Sequence, residues 1–200
     1  MRFWTTIILV GICAFSVIRG LTIVHFSVSM SNIRSPQNQA ESIGAWSAVP
    51  GIASAALQMQ LKEQVDPSDL KATNTRRERL SALVLIRPMS SIDWLSLSGL
   101  QLITDQPMDQ VLGALMLSTL TGPNEGYVMT DRGIFGISVW EDLSPDLRRH
   151  VINDLAAGEI PESRKVRPVL DSKSPAVRNE LRTAILAILP PKEAERRLGF

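Results

Sequence analysis

The chain has 200 residues, 21 Lys+Arg against 20 Asp+Glu, one Cys and two His. That length holds one ordinary domain plus an anchor, and a net charge of +1 supplies no field for nucleic acid. One Cys excludes an intrachain disulfide framework, and two His exclude a His-rich metal site.

Mean hydropathy is +0.08, and the apolar excess sits near the N-terminus. Residues Phe3 to Ile18 carry no charge and lie between Arg2 and Arg19; Leu21 to Phe26 form a second apolar stretch. At about 1.5 Å per residue, 3–18 alone falls short of a hydrocarbon core of about 30 Å. Extension to Val28 is long enough and places Arg19 inside the span. Arg19 then either snorkels or faces a partner helix. No small-residue cleavage site follows the run, and Ile12 precedes Cys13 where a lipidation signal needs a small residue. The reading is therefore an uncleaved signal anchor over 1–28. A cleaved signal peptide and a buried helix of the folded domain are the alternatives. Arg2 favours a cytoplasmic N-terminus, while Arg19 and Arg34 pull the other way. The expectation is a single pass through a bacterial inner membrane, with lipid contact through 3–28 and the remainder in the periplasm.

Residues 29–42 are polar and aperiodic, which predicts a linker before a domain over 43–200. Without Arg2 and Arg19, the chain holds 19 basic and 20 acidic residues. That balance argues against a polybasic lipid surface and a nucleic-acid groove.

Helical spacing then dominates. Ile52, Ala55, Ala56 and Met59 mark a helix over 51–64. Asp66-Pro67 reads as a start signal for a helix to about Ile86, with Leu80, Leu83 and Val84 on one side. Pro88 stops it. Ser90 or Ser91 caps the next helix, whose apolar positions are Trp94, Leu97, Leu100 and Leu102 or Ile103. Asp105-Gln106-Pro107 is a break. A helix over 107–121 turns Val111, Leu112, Leu115 and Met116 inward and ends at Gly122. Another over 124–140 carries Tyr127, Val128, Ile134, Phe135, Ile137 and Trp140. Ser144-Pro145 opens a helix with Leu147, Val151, Ile152 and Leu155, closed by Gly158. Residues 158–174, with Pro161 and Pro168, predict a loop or extended arm. Ser174-Pro175 opens a helix to about 189, and the tail is a short or frayed helix. No run alternates as a strand does, so the expected fold is all-α, built of antiparallel helical hairpins or an irregular helix bundle.

Pro88 and Pro123 lie 35 positions apart, near the ~34-residue period of tetratricopeptide repeats. Trp94 follows Pro88 by six residues, Leu97 comes three later, and a polar turn leads to a second helix. This one unit, 88–123, resembles a divergent tetratricopeptide repeat. Ser98, Gln101 and Gln110 depart from the repeat's usual small, aromatic and small positions. The resemblance implies close helix packing through Gly99, Gly113 and Ala114. The anchor followed by Arg87-Pro88 and Trp94-Leu95-Ser96-Leu97-Ser98-Gly99-Leu100 also resembles small accessory proteins of bacterial envelope polysaccharide systems.

Chemistry-bearing residues are sparse. Ser96-Leu97-Ser98-Gly99 lies on a helix and lacks a strand-to-helix elbow. Cys13 is in the apolar run, where the thiol stays neutral. His150 follows Arg148-Arg149, a poor setting for a general base. Glu141, Asp142 and Asp146 cluster at a helix junction, which the helix dipole explains and acid–base chemistry also could. Gly122-Pro123-Asn124-Glu125-Gly126 lacks the Lys of a phosphate loop. Arg76, Arg77 and Arg79 form the strongest basic cluster, suited to head groups or an anionic polymer. Tyr127, Asp131 and Arg132 are the candidates for a concave contact surface. These readings predict a non-catalytic scaffold holding protein partners in or near the inner membrane, with no cofactor, metal or nucleic acid. The competing classes are a helper subunit of a multi-pass membrane complex and an enzyme using Glu141, Asp142 or Arg132.

Overall fold

A computed structural model of the chain describes residues 2–32, 46, 49, 52–61, 65–66, 68–159 and 163–199. The chain is all-helical among those residues. It divides into two compact units, Met1–Val65 and Asp66–Phe200. The helix over Ala53–Leu61 falls in the first of these units.

The first unit contains α1 (Arg2–Asn32) and α2 (Ala53–Leu61). Within α1, Ile7–Val28 is 22 residues long with a mean hydropathy of 2.4, long and apolar enough to cross a membrane. Its large apolar side chains are exposed. The helix runs through Asn32, so the first four residues of the expected linker are helical; the remainder of that linker lies outside the described residues. The Trp46 ring sits edge-on to Phe26, centroids 5.5 Å apart, and 5.4 Å from His25. Ile52, Ala56 and Leu57 are buried, while Ala55 is exposed.

The second unit runs α3 (Leu70–Ile86), α4 (Ser91–Ile103), α5 (Met108–Thr121), α6 (Gly126–Ser138), a 3-10 turn (Trp140–Asp142), α7 (Pro145–Ala157), α8 (Ser163–Asp171), α9 (Pro175–Leu186) and α10 (Pro191–Leu198). Helix α4 pairs with α5, and α6 with α7; α3 lies against α4, and α8, α9 and α10 close over the α6–α7 pair.

Local chemistry explains the boundaries. Ser144 and Ser174 each accept a hydrogen bond from a backbone N–H in the first turn, and each is followed by proline. Asp69, three residues past the expected signal, caps α3 through Ala72 N at 3.0 Å. Asp66 instead accepts from the Ser68 N–H and hydroxyl, forming a turn before the helix. Pro67 lies outside the described residues. Asp105 takes the left-handed region at φ 53°, which aspartate tolerates at a turn.

The core follows the expected faces in α3, α5 and α7: Leu80, Leu83, Val84, Val111, Leu115, Leu147, Val151 and Leu155 are all buried. Helix α4 is rotated from expectation. Leu95, Leu97 and Ser98 are buried, Trp94 and Leu100 are half-buried, and Ile103 is exposed. The Ser98 hydroxyl donates to Val111 O at 2.8 Å, which satisfies it inside the α4–α5 contact.

Two expectations are corrected. Gly99 and Gly113 have nothing within 4 Å of a built Cβ, so neither brings helices together. Gly133 and Gly136 do: a Cβ there would lie 2.8 Å from the Leu155 side chain and 2.3 Å from Val151 Cγ2. Of the three small residues expected in close packing, Ala114 is buried, while the glycines in tight contact are those of the α6–α7 pair. The expected loop at 158–174 holds α8. Pro168 inside it costs about 3 kcal/mol in a helix interior. Burial of Val166 and Leu170, one turn apart and almost fully enclosed, offsets that at about 1.5–3 kcal/mol each.

Candidate functional site

Helix α6 separates the three residues expected on one surface. Tyr127 and Asp131 are four apart and share a face; Arg132 is one position further round. Tyr127 is exposed, and Asp131 faces Lys165 of α8 at 3.8 Å. Arg132 is 1% exposed, so it is no part of a contact surface, nor does it reach a cleft beside Glu141 and Asp142. Its guanidinium holds the centre of the α5–α6–α7 packing. Nε and Nη2 donate to the two carboxylate oxygens of Asp154 at 2.6 and 2.9 Å. Nη1 donates to Ser118 O at 2.8 Å and Gly122 O at 3.2 Å, carbonyls at the end of α5. A cation at a helix C-terminus is electrostatically favourable, and the fork geometry of arginine fits both tasks. Burial pushes the Asp154 carboxyl up from its ordinary value, more than the Arg132 hydrogen bonds pull it down.

Asp154 also lies at the edge of a cavity of about 440 Å³ with Asn124, Met129, His150 and Asn153. Both of its oxygens are engaged by Arg132, so it presents no vacant acid to that space as general-acid chemistry needs.

Tyr127 borders a larger, open depression of about 560 Å³ between the α3–α4 elbow and the start of α6. Its floor is Ser91, whose hydroxyl donates to Glu125 Oε2 at 2.6 Å. Its lining mixes polar Arg87, Ser90 and Glu125 with apolar side chains: Ile86, Met89 and Tyr127 are 49%, 73% and 53% exposed, and Leu85, outside the depression on α3, is 81% exposed. The elbow is fixed. Trp94 Nε1 donates to Pro88 O at 2.8 Å and Ser90 N to Arg87 O at 3.1 Å. Met89 is therefore held outward by a pinned turn.

The basic cluster on α3 is partly engaged inside the fold. Arg77 Nη1 donates to Gln106 Oε1 at 2.8 Å, and Arg76, Arg77 and Arg79 are all half-buried. At the acidic junction, Glu141 accepts from Lys173 Nζ at 2.7 Å, and Asp146 pairs with Arg149. The Lys173 hydrogen bond holds the Glu141 carboxyl below its ordinary range. Among the described residues no group of His, Cys, Asp and Glu is placed to hold a metal ion.

Reasoning from sequence missed Asp154, Met89 and Leu85. Asp154 carried a signal: it lies on the stripe of Leu147, Val151 and Leu155, where a charge demands a buried partner. A scan against protein-family models and searches of curated proteins and solved structures return no match to this chain.

Proposed function

We propose that this chain is a membrane-anchored interaction protein whose helical unit holds a protein partner. The observation behind this reading is the set of exposed apolar side chains Ile86, Met89 and Tyr127 at the elbow depression, with Leu85 exposed beside it on α3. Large apolar side chains left exposed on and beside a fixed turn cost solvation unless something covers them, and aromatic and Met residues are enriched at interface cores. The span Ile7–Val28 supports an anchor. We place it in a bacterial inner membrane with the helical unit in the periplasm, on Arg2 ahead of the span and on the likeness to envelope accessory proteins. The tetratricopeptide-like pattern of 88–123 supports the same class of action, since such hairpins present side chains to partners.

The test is co-purification of the full chain in mild detergent, comparing wild type with Met89→Asp and Tyr127→Ser. Loss of the co-purifying protein in both, with unchanged melting, supports the reading. Unchanged co-purification in both rejects this surface. A C-terminal reporter active only outside the cytoplasm checks the orientation.

A further inference from the structure

Arg19 stands alone in the span. It is the sole Lys, Arg, Asp or Glu between Ile7 and Val28, twelve residues from one end and nine from the other. Nine residues of helix are about 13.5 Å, further than an extended arginine side chain reaches. The guanidinium cannot reach the nearer interface, and it does not lean that way. Helical side chains tilt toward the N-terminus, and Arg19 Cζ lies 5.8 Å from the ring centre of Phe15, one turn back. It points toward the longer half of the span.

Among the described residues, its surroundings offer few acceptors. Phe15, Ile18, Thr22, Ile23, Val49 and Ile52 line a groove of about 290 Å³ with it. The Thr22 hydroxyl donates to Ile18 O at 2.7 Å. No carboxylate meets Arg19 among the described residues, and α2 is uncharged. A guanidinium has five donors, and one aromatic face satisfies none of them as a hydrogen bond.

This reasoning rests on α1 crossing the membrane, as proposed above. We infer that Arg19 is the recognition point for a second transmembrane helix that carries an Asp or Glu at mid-depth. Charge complementarity selects that occupant. A second copy of this chain brings another arginine and no acid, because residues 1–30 contain neither Asp nor Glu. A carboxylate takes the guanidinium fork in two parallel bonds, and the pair removes the cost of a lone charge in hydrocarbon.

The test uses the full chain in membranes of its own cells, with a photo-crosslinking residue at Ile23, one turn from Arg19. Mass spectrometry identifies the cross-linked peptide, and alkaline carbonate extraction reports membrane retention separately. The expected result is a cross-link to a membrane span bearing Asp or Glu. It falls at least tenfold in Arg19→Leu with retention unchanged, and returns when Arg19→Glu is combined with Lys at the partner's acid. Cross-links that persist in Arg19→Leu, or that lead to a span without an acid, to a second copy or to lipid alone, overturn the inference while the anchor stands. Wild type extracted by carbonate overturns the anchor and the inference together.

Discussion

Arg132 Nε lies 2.6 Å from Asp154 Oδ2 with both side chains almost wholly enclosed, and the same guanidinium closes the end of α5. One side chain thereby joins α5, α6 and α7. Taking two charges from water can cost more than the pair returns, yet breaking such a pair leaves an uncompensated charge in the core. The raised Asp154 carboxyl expresses the first half of that statement. Arg132→Met and Asp154→Ala are each expected to destabilise by about 3–5 kcal/mol. The double variant Arg132→Met with Asp154→Leu should cost less than either single change. Denaturant unfolding of the full chain in detergent reads all three, and additive losses would refute the account.

The α6–α7 contact makes a contrast between glycines. Alanine at 136 places a methyl 2.3 Å from Val151 Cγ2, and at 133 one 2.8 Å from Leu155. Overpacking of this kind costs about 1–3 kcal/mol. At Gly99 and Gly113 the Cβ position is open, so alanine there should stabilise by about 0.5–1 kcal/mol through helix propensity. Val151→Ala should recover part of the Gly136→Ala loss. Melting temperatures moving in opposite directions at the two pairs check this.

The cases separate what the sequence carries from what it does not. Start signals are local, so Ser144-Pro145 and Ser174-Pro175 are legible as helix openings: cap and proline act within one turn. Apolar stripes are legible too, and Leu80-Leu83-Val84 and Leu147-Val151-Leu155 are buried as their spacing predicts. Which helices touch is not local. Gly113 and Gly136 look alike along the chain, and tertiary contact alone distinguishes them. Helix α8 is hidden by Pro168 because its stability comes from Val166 and Leu170 meeting the core. Of the candidate contact residues, Tyr127 lies at an open depression, whereas Arg132 is turned into the core by its single-residue offset from Asp131.

Glu141 and Asp154 should give opposite pH dependences. Glu141, held low by the Lys173 hydrogen bond, binds its proton less tightly when folded. Its contribution is complete above the ordinary Glu value near ~4.3 and is lost as pH falls through the depressed native value. Asp154, raised by burial, binds its proton more tightly when folded. Its contribution falls as pH rises from the ordinary Asp value of about 3.9 through the raised native value, and is flat above. Unfolding midpoints of wild type, Glu141→Gln and Asp154→Asn across acid to neutral pH read both. The gap between wild type and Glu141→Gln should widen with rising pH, and the gap to Asp154→Asn should narrow. Parallel curves would contradict both assignments.

The last helix is docked, which the sequence left open. Ala194 and Leu198 are 1% and 3% exposed and belong to the main core. Gly199 ends α10 in the left-handed region at φ 69°, a conformation glycine adopts at little cost. Arg197 reaches back to the end of α7, donating from Nη1 to Gly158 O at 2.7 Å, while its Nε donates to Glu193 at 3.0 Å. Helix α10 has eight residues, too few to be stable in isolation, so its order depends on these contacts. Leu198→Ala should cost about 2–5 kcal/mol. Arg197→Ala should cost about 1–3 kcal/mol by leaving the Gly158 carbonyl without its charged donor. Hydrogen exchange should then rise in α10 and at the end of α7 before it rises in α4 and α5. Uniform loss of protection, or none, would show that the tail is not held by these two residues.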